Sequence, residues 1–98
     1  MNVDDVRRMI EPEKDALRAK GVSALYVFGS VARDEAEPGS DVDLLFELTP
    51  GTRFNLLDLV GVKDQLSGAL GVEADVHMRT ALHWRIRDKV LSQAVQVF

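Results

Sequence analysis

The chain has 98 residues, 46% hydrophobic and 29% charged, with a formal net charge of −4 and no cysteine. That length suits one domain, 1–98, with a modest core, and the missing cysteines exclude disulfides and thiolate metal sites. The negative balance argues against direct nucleic-acid binding, and no run is long and apolar enough for a signal peptide or a membrane span, so a soluble cytoplasmic protein is expected.

Val3 to Lys20 predicts a helix with Val6, Ile10 and Leu17 on its core side. Pro12 splits it, opening a second segment where its missing N–H does little harm, and Gly21 ends it. Ala24 to Phe28 (ALYVF) is a short, almost wholly apolar run, as in a strand inside a sheet. A short helix from about Ser30 to Asp34 follows, then a turn over Glu35 to Ser40 that contains Pro38-Gly39.

Asp41 to Leu48 alternates most clearly. Val42, Leu44, Phe46 and Leu48 share one face, and Asp41, Asp43, Leu45 and Glu47 share the other, which is expected to be acidic and available. Thr49 to Thr52 is a loop. Phe54 to Leu70 reads as an amphipathic helix with Leu56, Leu59 or Val60, Lys63, Leu66 and Leu70 along its inner side, interrupted by Gly61 and Gly68 and capped by Gly71. Val72 to Met78 alternates again, with Glu73, Asp75 and His77 on the outer face. Ala81 to Leu91 predicts a last helix, with Trp84 packed on the sheet or, alternatively, facing a partner with Arg85 and Arg87. Ala94 to Phe98 predicts a terminal edge strand or a segment buried in a partner. The order implies an α/β fold: a small open mixed sheet, its first two strands antiparallel, with helices mainly on one face.

Chemistry concentrates at the strand ends. Asp41 and Asp43 project from one strand face roughly 6–7 Å apart along the chain, and two such anions resist burial unless a cation joins them. Ten residues separate Asp41 from Gly29-Ser30, a tight turn whose glycine admits a close backbone approach and whose free amides and hydroxyl suit phosphate oxygens. Hard oxygen donors beside a phosphate-holding turn point to magnesium and a nucleoside triphosphate. Two divalent ions held about 3.5–4 Å apart would need a third carboxylate, and Asp75 is the aspartate with suitable strand context and facing. Arg33, one turn beyond Ser30, can neutralise the same phosphates or form an exposed helix charge, and Ser40 caps the turn into Asp41 or touches nucleotide. Glu47 is expected in solvent, and His77 at the site's edge rather than as a ligand.

The segment LYVFGSVARDEAEPGSDVDLLF closely resembles the signature of the DNA polymerase β-like nucleotidyltransferase superfamily. Phe28-Gly29-Ser30, Val31-Ala32-Arg33, Ser40-Asp41-Val42-Asp43-Leu44 and Ala74-Asp75-Val76 carry the resemblance, which spans essentially the whole chain. Within the superfamily the chain is similar to the minimal nucleotidyltransferases (MNT) that form the smaller partner of two-gene toxin–antitoxin modules. The resemblance implies two magnesium ions on Asp41, Asp43 and Asp75, and ATP held by Gly29, Ser30, Arg33 and Ser40. It implies transfer of AMP to a tyrosine hydroxyl of a HEPN-type toxin, which silences the toxin. Larger relatives carry an acceptor-binding domain for which 98 residues leave no room. Asp34 stands where the family has glycine; aspartate tolerates left-handed backbone but adds negative charge near the triphosphate. Two other readings stay open: a non-catalytic module that neutralises its partner by binding, and nucleotidyl transfer to a small molecule or an RNA end.

Overall fold

The computed structural model describes residues 1–98. Helix α1 (Val3–Ile10) opens on a capping box in which Asn2 and Asp5 each bond the other's backbone N–H, at 2.8 and 3.0 Å. Pro12 lies in a single 3₁₀ turn (Glu11–Glu13) that passes the chain into α2 (Lys14–Ala19). Strand β1 (Val22–Phe28), helix α3 (Gly29–Ala32), β2 (Val42–Leu48), α4 (Leu56–Leu70) and β3 (Ala74–Met78) follow. A second 3₁₀ turn (Arg79–Ala81), α5 (Trp84–Gln93) and β4 (Val95–Gln96) complete the chain. No helix is long and apolar enough to cross a membrane.

The four strands form one mixed sheet in the order β3-β2-β1-β4. β1 runs antiparallel to β2 and to β4, and β2 runs parallel to β3. The two-residue turn of an antiparallel hairpin cannot join parallel strands, so α4 carries the chain from the end of β2 back to the start of β3. Gly71 ends α4 in a left-handed conformation at φ 72°, which costs a glycine little and any other residue more. The apolar C-terminus is paired rather than loose: Val97 N–H donates to the Leu25 carbonyl at 2.7 Å, and β4 covers the free side of β1.

Alternation along β2 decides where the core lies. Val42, Leu44 and Phe46 are buried with Val6, Ile10 and Leu17 from the first helices and Val62, Leu66 and Leu70 from α4. The opposite face of β2 departs from the expectation that it is open throughout. Leu45 is fully buried there in a second cluster with Leu82 and Val90, flanked by Tyr26, Phe28 and Leu91. So α5 roofs the middle of this face and leaves the end bearing Asp41 and Asp43 open. Glu47 is likewise not free in solvent, because Arg79 pairs with it.

Two further expectations are corrected. The inner stripe of α4 is Leu59, Val62, Leu66 and Leu70, while Leu56, in the first turn, is 73% exposed. Trp84 is 70% exposed rather than packed on the sheet; it opens α5, stacks on His83 and lies under the Arg85 guanidinium. Leu82 and Val90 fill the place under α5 that Trp84 was expected to take.

Phe46 is fully buried, meets Phe54 at 5.5 Å between ring centroids and belongs to the core cluster shared with α1, α2 and α4. Phe46→Ala should destabilise the chain by about 3–5 kcal/mol, read as a lower urea midpoint at unchanged slope.

Candidate active site

The strands converge where β1 finishes and β2 and β3 begin. Phe28 is registered against Asp43, and Asp43 against Asp75 on the neighbouring parallel strand. Directly opposed residues of adjacent strands point to the same face, so the Asp43 and Asp75 carboxyls stand side by side, with Asp41 just before β2. The opening turn of α3, Gly29-Ser30, lies against the same edge.

Gly29 has φ 69°, and a Cβ built on it would collide with the Asp43 carboxylate. The position therefore requires glycine twice over: for its left-handed backbone, and because an acidic side chain rests where a Cβ would project. Ser30 follows, half-buried; its carbonyl accepts the Glu35 N–H at 2.8 Å, which folds the next loop back beside the turn. Asp34 is the one non-glycine residue with positive φ, at 59°, so the substitution of aspartate for glycine keeps the left-handed turn. Ser40 closes the loop before Asp41, its N–H donating to the Glu37 carbonyl at 3.1 Å.

Electrostatics single out Asp43. Its pKa is raised from the ordinary 3.8, first by burial and then by the charge of Asp75, with Asp41 adding to the same side. His77 opposes the shift. The imidazole Nε2 lies 3.2 Å from Asp75 Oδ2, and its ring packs against Phe28 at 5.7 Å between centroids. His77 thus touches the site more closely than its sequence context suggested; the signal was its i+2 position from Asp75 on an alternating strand. None of the three aspartates forms an ion pair with a lysine or arginine. Arg33 is turned to other partners: its Nε meets Glu35 Oε2 at 3.1 Å and its Nη1 meets Gln93 Oε1 at 3.3 Å.

No group of three or more His, Cys, Asp or Glu side chains is arranged to hold a metal ion. The donor set nevertheless suits magnesium, which takes oxygen ligands, uses one or two carboxylates and leaves its other positions to water and substrate phosphates. The excess negative charge that raises the Asp43 pKa is what a bound cation would relieve. The best-enclosed pocket, about 240 Å³, lies at the opposite end of β2 around Phe46, Glu47 and Arg79 and contains none of the three aspartates.

Residues 12–97 match the family model described as "Nucleotidyltransferase domain". The chain is similar to a candidate protein adenylyltransferase of Methanocaldococcus jannaschii, 39% identical over 97 residues and covering 99% of both chains. A solved structure of a candidate minimal nucleotidyltransferase superposes with a TM-score of 0.79 at 37% identity, covering 97% of this chain and 95% of that one. A chain from the complex of tri-AMPylated Shewanella oneidensis HEPN toxin with MNT antitoxin superposes with a TM-score of 0.68 at 16% identity, covering 95% and 71% respectively. At that identity the last likeness is one of fold.

The raised pKa of Asp43 sets the sign of a pH effect. Its contribution to stability is fully present below the unfolded-state pKa and is lost as pH rises through the higher folded-state value. Asp43→Asn should therefore be more stable than the parent at pH 7 without divalent cations. The margin should shrink as pH falls through the raised folded-state value toward about 4, as followed by thermal unfolding across pH.

Proposed function

The chain belongs to the nucleotidyltransferase domain family, and from that premise we propose that it is a cytoplasmic antitoxin that transfers AMP from ATP to a tyrosine hydroxyl of a HEPN-type toxin. The observation that carries this reading is the adjacency of Asp43 and Asp75 on neighbouring strands beside the Gly29-Ser30 turn. The M. jannaschii relative and the fold shared with a chain of an AMPylated HEPN–MNT complex support it.

In this reading Asp41 and Asp43 hold two magnesium ions, and Asp75 completes the set. The ions would supply Lewis-acid stabilisation of charge on the attacking and leaving oxygens. The acceptor oxygen attacks the α-phosphorus, the bond from that phosphorus to the bridging oxygen of the β-phosphate breaks, and pyrophosphate leaves. Asp75 takes the hydroxyl proton, and its contact with His77 fixes the carboxylate's orientation. The amides that open α3 have no intrahelical partners and, with the Ser30 hydroxyl, hold the triphosphate; Ser40 flanks it. Arg33 reaches phosphate by leaving Glu35, and this exposed pair is worth only about 0–1 kcal/mol, so the exchange is inexpensive.

A second reading, neutralisation by binding alone, draws on two observations: Arg33 is engaged with Glu35 and Gln93, and Asp34 adds a negative charge beside the phosphate turn. Asp41→Asn with Asp43→Asn separates the two. The double variant should lower transfer of labelled AMP to the partner protein at least about a hundredfold while the circular-dichroism spectrum stays unchanged. Retained transfer removes the carboxylate assignment, and retained neutralisation without transfer favours binding alone.

Magnesium should also stabilise the parent chain by about 1.4 kcal/mol at ten times its dissociation constant, and the double variant should show no such gain. Differential scanning calorimetry with and without the ion reads both.

A further inference from the structure

We propose that the chain forms a two-fold dimer through the outward face of α4, with the two copies of this helix packed antiparallel. The inference is independent of the catalytic reading. An ordinary surface helix is apolar on its inner side only, but α4 is apolar on two sides over its first turns. Leu59, Val62, Leu66 and Leu70 face the core, while Leu57 and Val60, 80% and 48% exposed, lie away from it. The outward stripe is Leu57, Gly61, Asp64 and Gly68, spaced 4, 3 and 4 residues apart as in the seam between two packed helices.

The glycines of that stripe have no steric reason within the chain. A Cβ at Gly68 would meet nothing within 4 Å, and one at Gly61 would meet only Lys20 Nζ at 3.9 Å. Glycine weakens a helix interior, so its use at two open positions on one face suits the close approach of another backbone. Larger and small residues alternate along the stripe, Leu57, Gly61, Asp64 and Gly68. An antiparallel second copy sets each larger residue over a glycine, Leu57 over Gly68 and Asp64 over Gly61.

Charge selects the same arrangement. Lys20 Nζ sits beside Gly61 and bonds Gln65 Oε1 at 2.8 Å, and neither Lys20 nor Asp64 has an ion pair within its own chain. Bringing Asp64 of a second copy over Gly61 sets its carboxylate beside this ammonium, twice in a symmetric pair. The interface uses the helical side of the sheet. Asp41 and Asp43 occupy the other side with Leu45 and α5, so both sites stay open in the dimer.

Sedimentation equilibrium of the full chain over a wide concentration range tests this, with circular dichroism confirming that each variant is folded. The parent should dimerise reversibly. Leu57→Asp and Gly68→Leu should each raise the dissociation constant about tenfold or more, the second because it fills the gap that receives Leu57. Asp64→Lys and Lys20→Asp should each weaken the dimer, and the two together should restore it to within about threefold of the parent. A parent that stays monomeric throughout, as it would if the face served a different polypeptide, overturns the proposal. So does a Gly68→Leu variant that associates as tightly as the parent, or a charge-swapped pair no tighter than its single variants.

Discussion

The Asp43 carboxylate is pressed against the backbone of Gly29, with Asp75 on the next strand and Asp41 two residues before it. A chain selected only for stability would avoid this, because burial and like charge both oppose ionisation of Asp43. The arrangement persists because neighbouring structure over-determines it. Two strand pairings fix the position of Asp43, and a glycine at φ 69° removes the one atom that would displace its side chain. Local electrostatic cost concentrated at the strand ends, with no lysine or arginine to offset it, is a pattern that functional sites share.

The rest of the fold serves that junction by being asymmetric. One face of the sheet carries nearly all the core, from α1, α2 and α4. The other face is covered only in its middle, where Leu82 and Val90 close over Leu45. Because α5 is amphipathic and short, it leaves the strand ends open on one side, and its Gln93 reaches Arg33 beside α3. Arg79 holds Glu47 at the far end, so the negative charge that remains unpaired on this face is gathered at Asp41, Asp43 and Asp75. A flat acidic face has thereby become a local one.

This economy explains how so small a domain can present chemistry at all. The core is a single layer of helices on one side of four strands, and polar groups are kept out of it entirely. The buried face supplies the stability, which leaves the strand ends able to tolerate destabilising charges. The loop from Asp34 to Ser40 shows the same division: its left-handed residue, its turn hydrogen bond and the packing of Ala36 on the core hold a shape, while its charged side chains stay exposed.

Residue spacing alone determined the local features. Alternation from Val42 to Leu48 and from Ala74 to Met78 assigned Asp41, Asp43 and Asp75 to the sheet face opposite the main core. Gly71, Pro12 and Asp34 marked a cap, a break and a left-handed turn, because backbone dihedral preferences act within a few residues. Tertiary structure decided what covers each face. Leu45 is buried and Trp84 exposed because α5 meets the sheet through Leu82 and Val90, and Leu56 is exposed because no distant element covers the first turn of α4. Arg33 finds Gln93 sixty residues away, and Arg79 finds Glu47 across a strand boundary. A period of 2 or 3.6 states which side chains share a face, but it carries no information on which distant element will come to rest there.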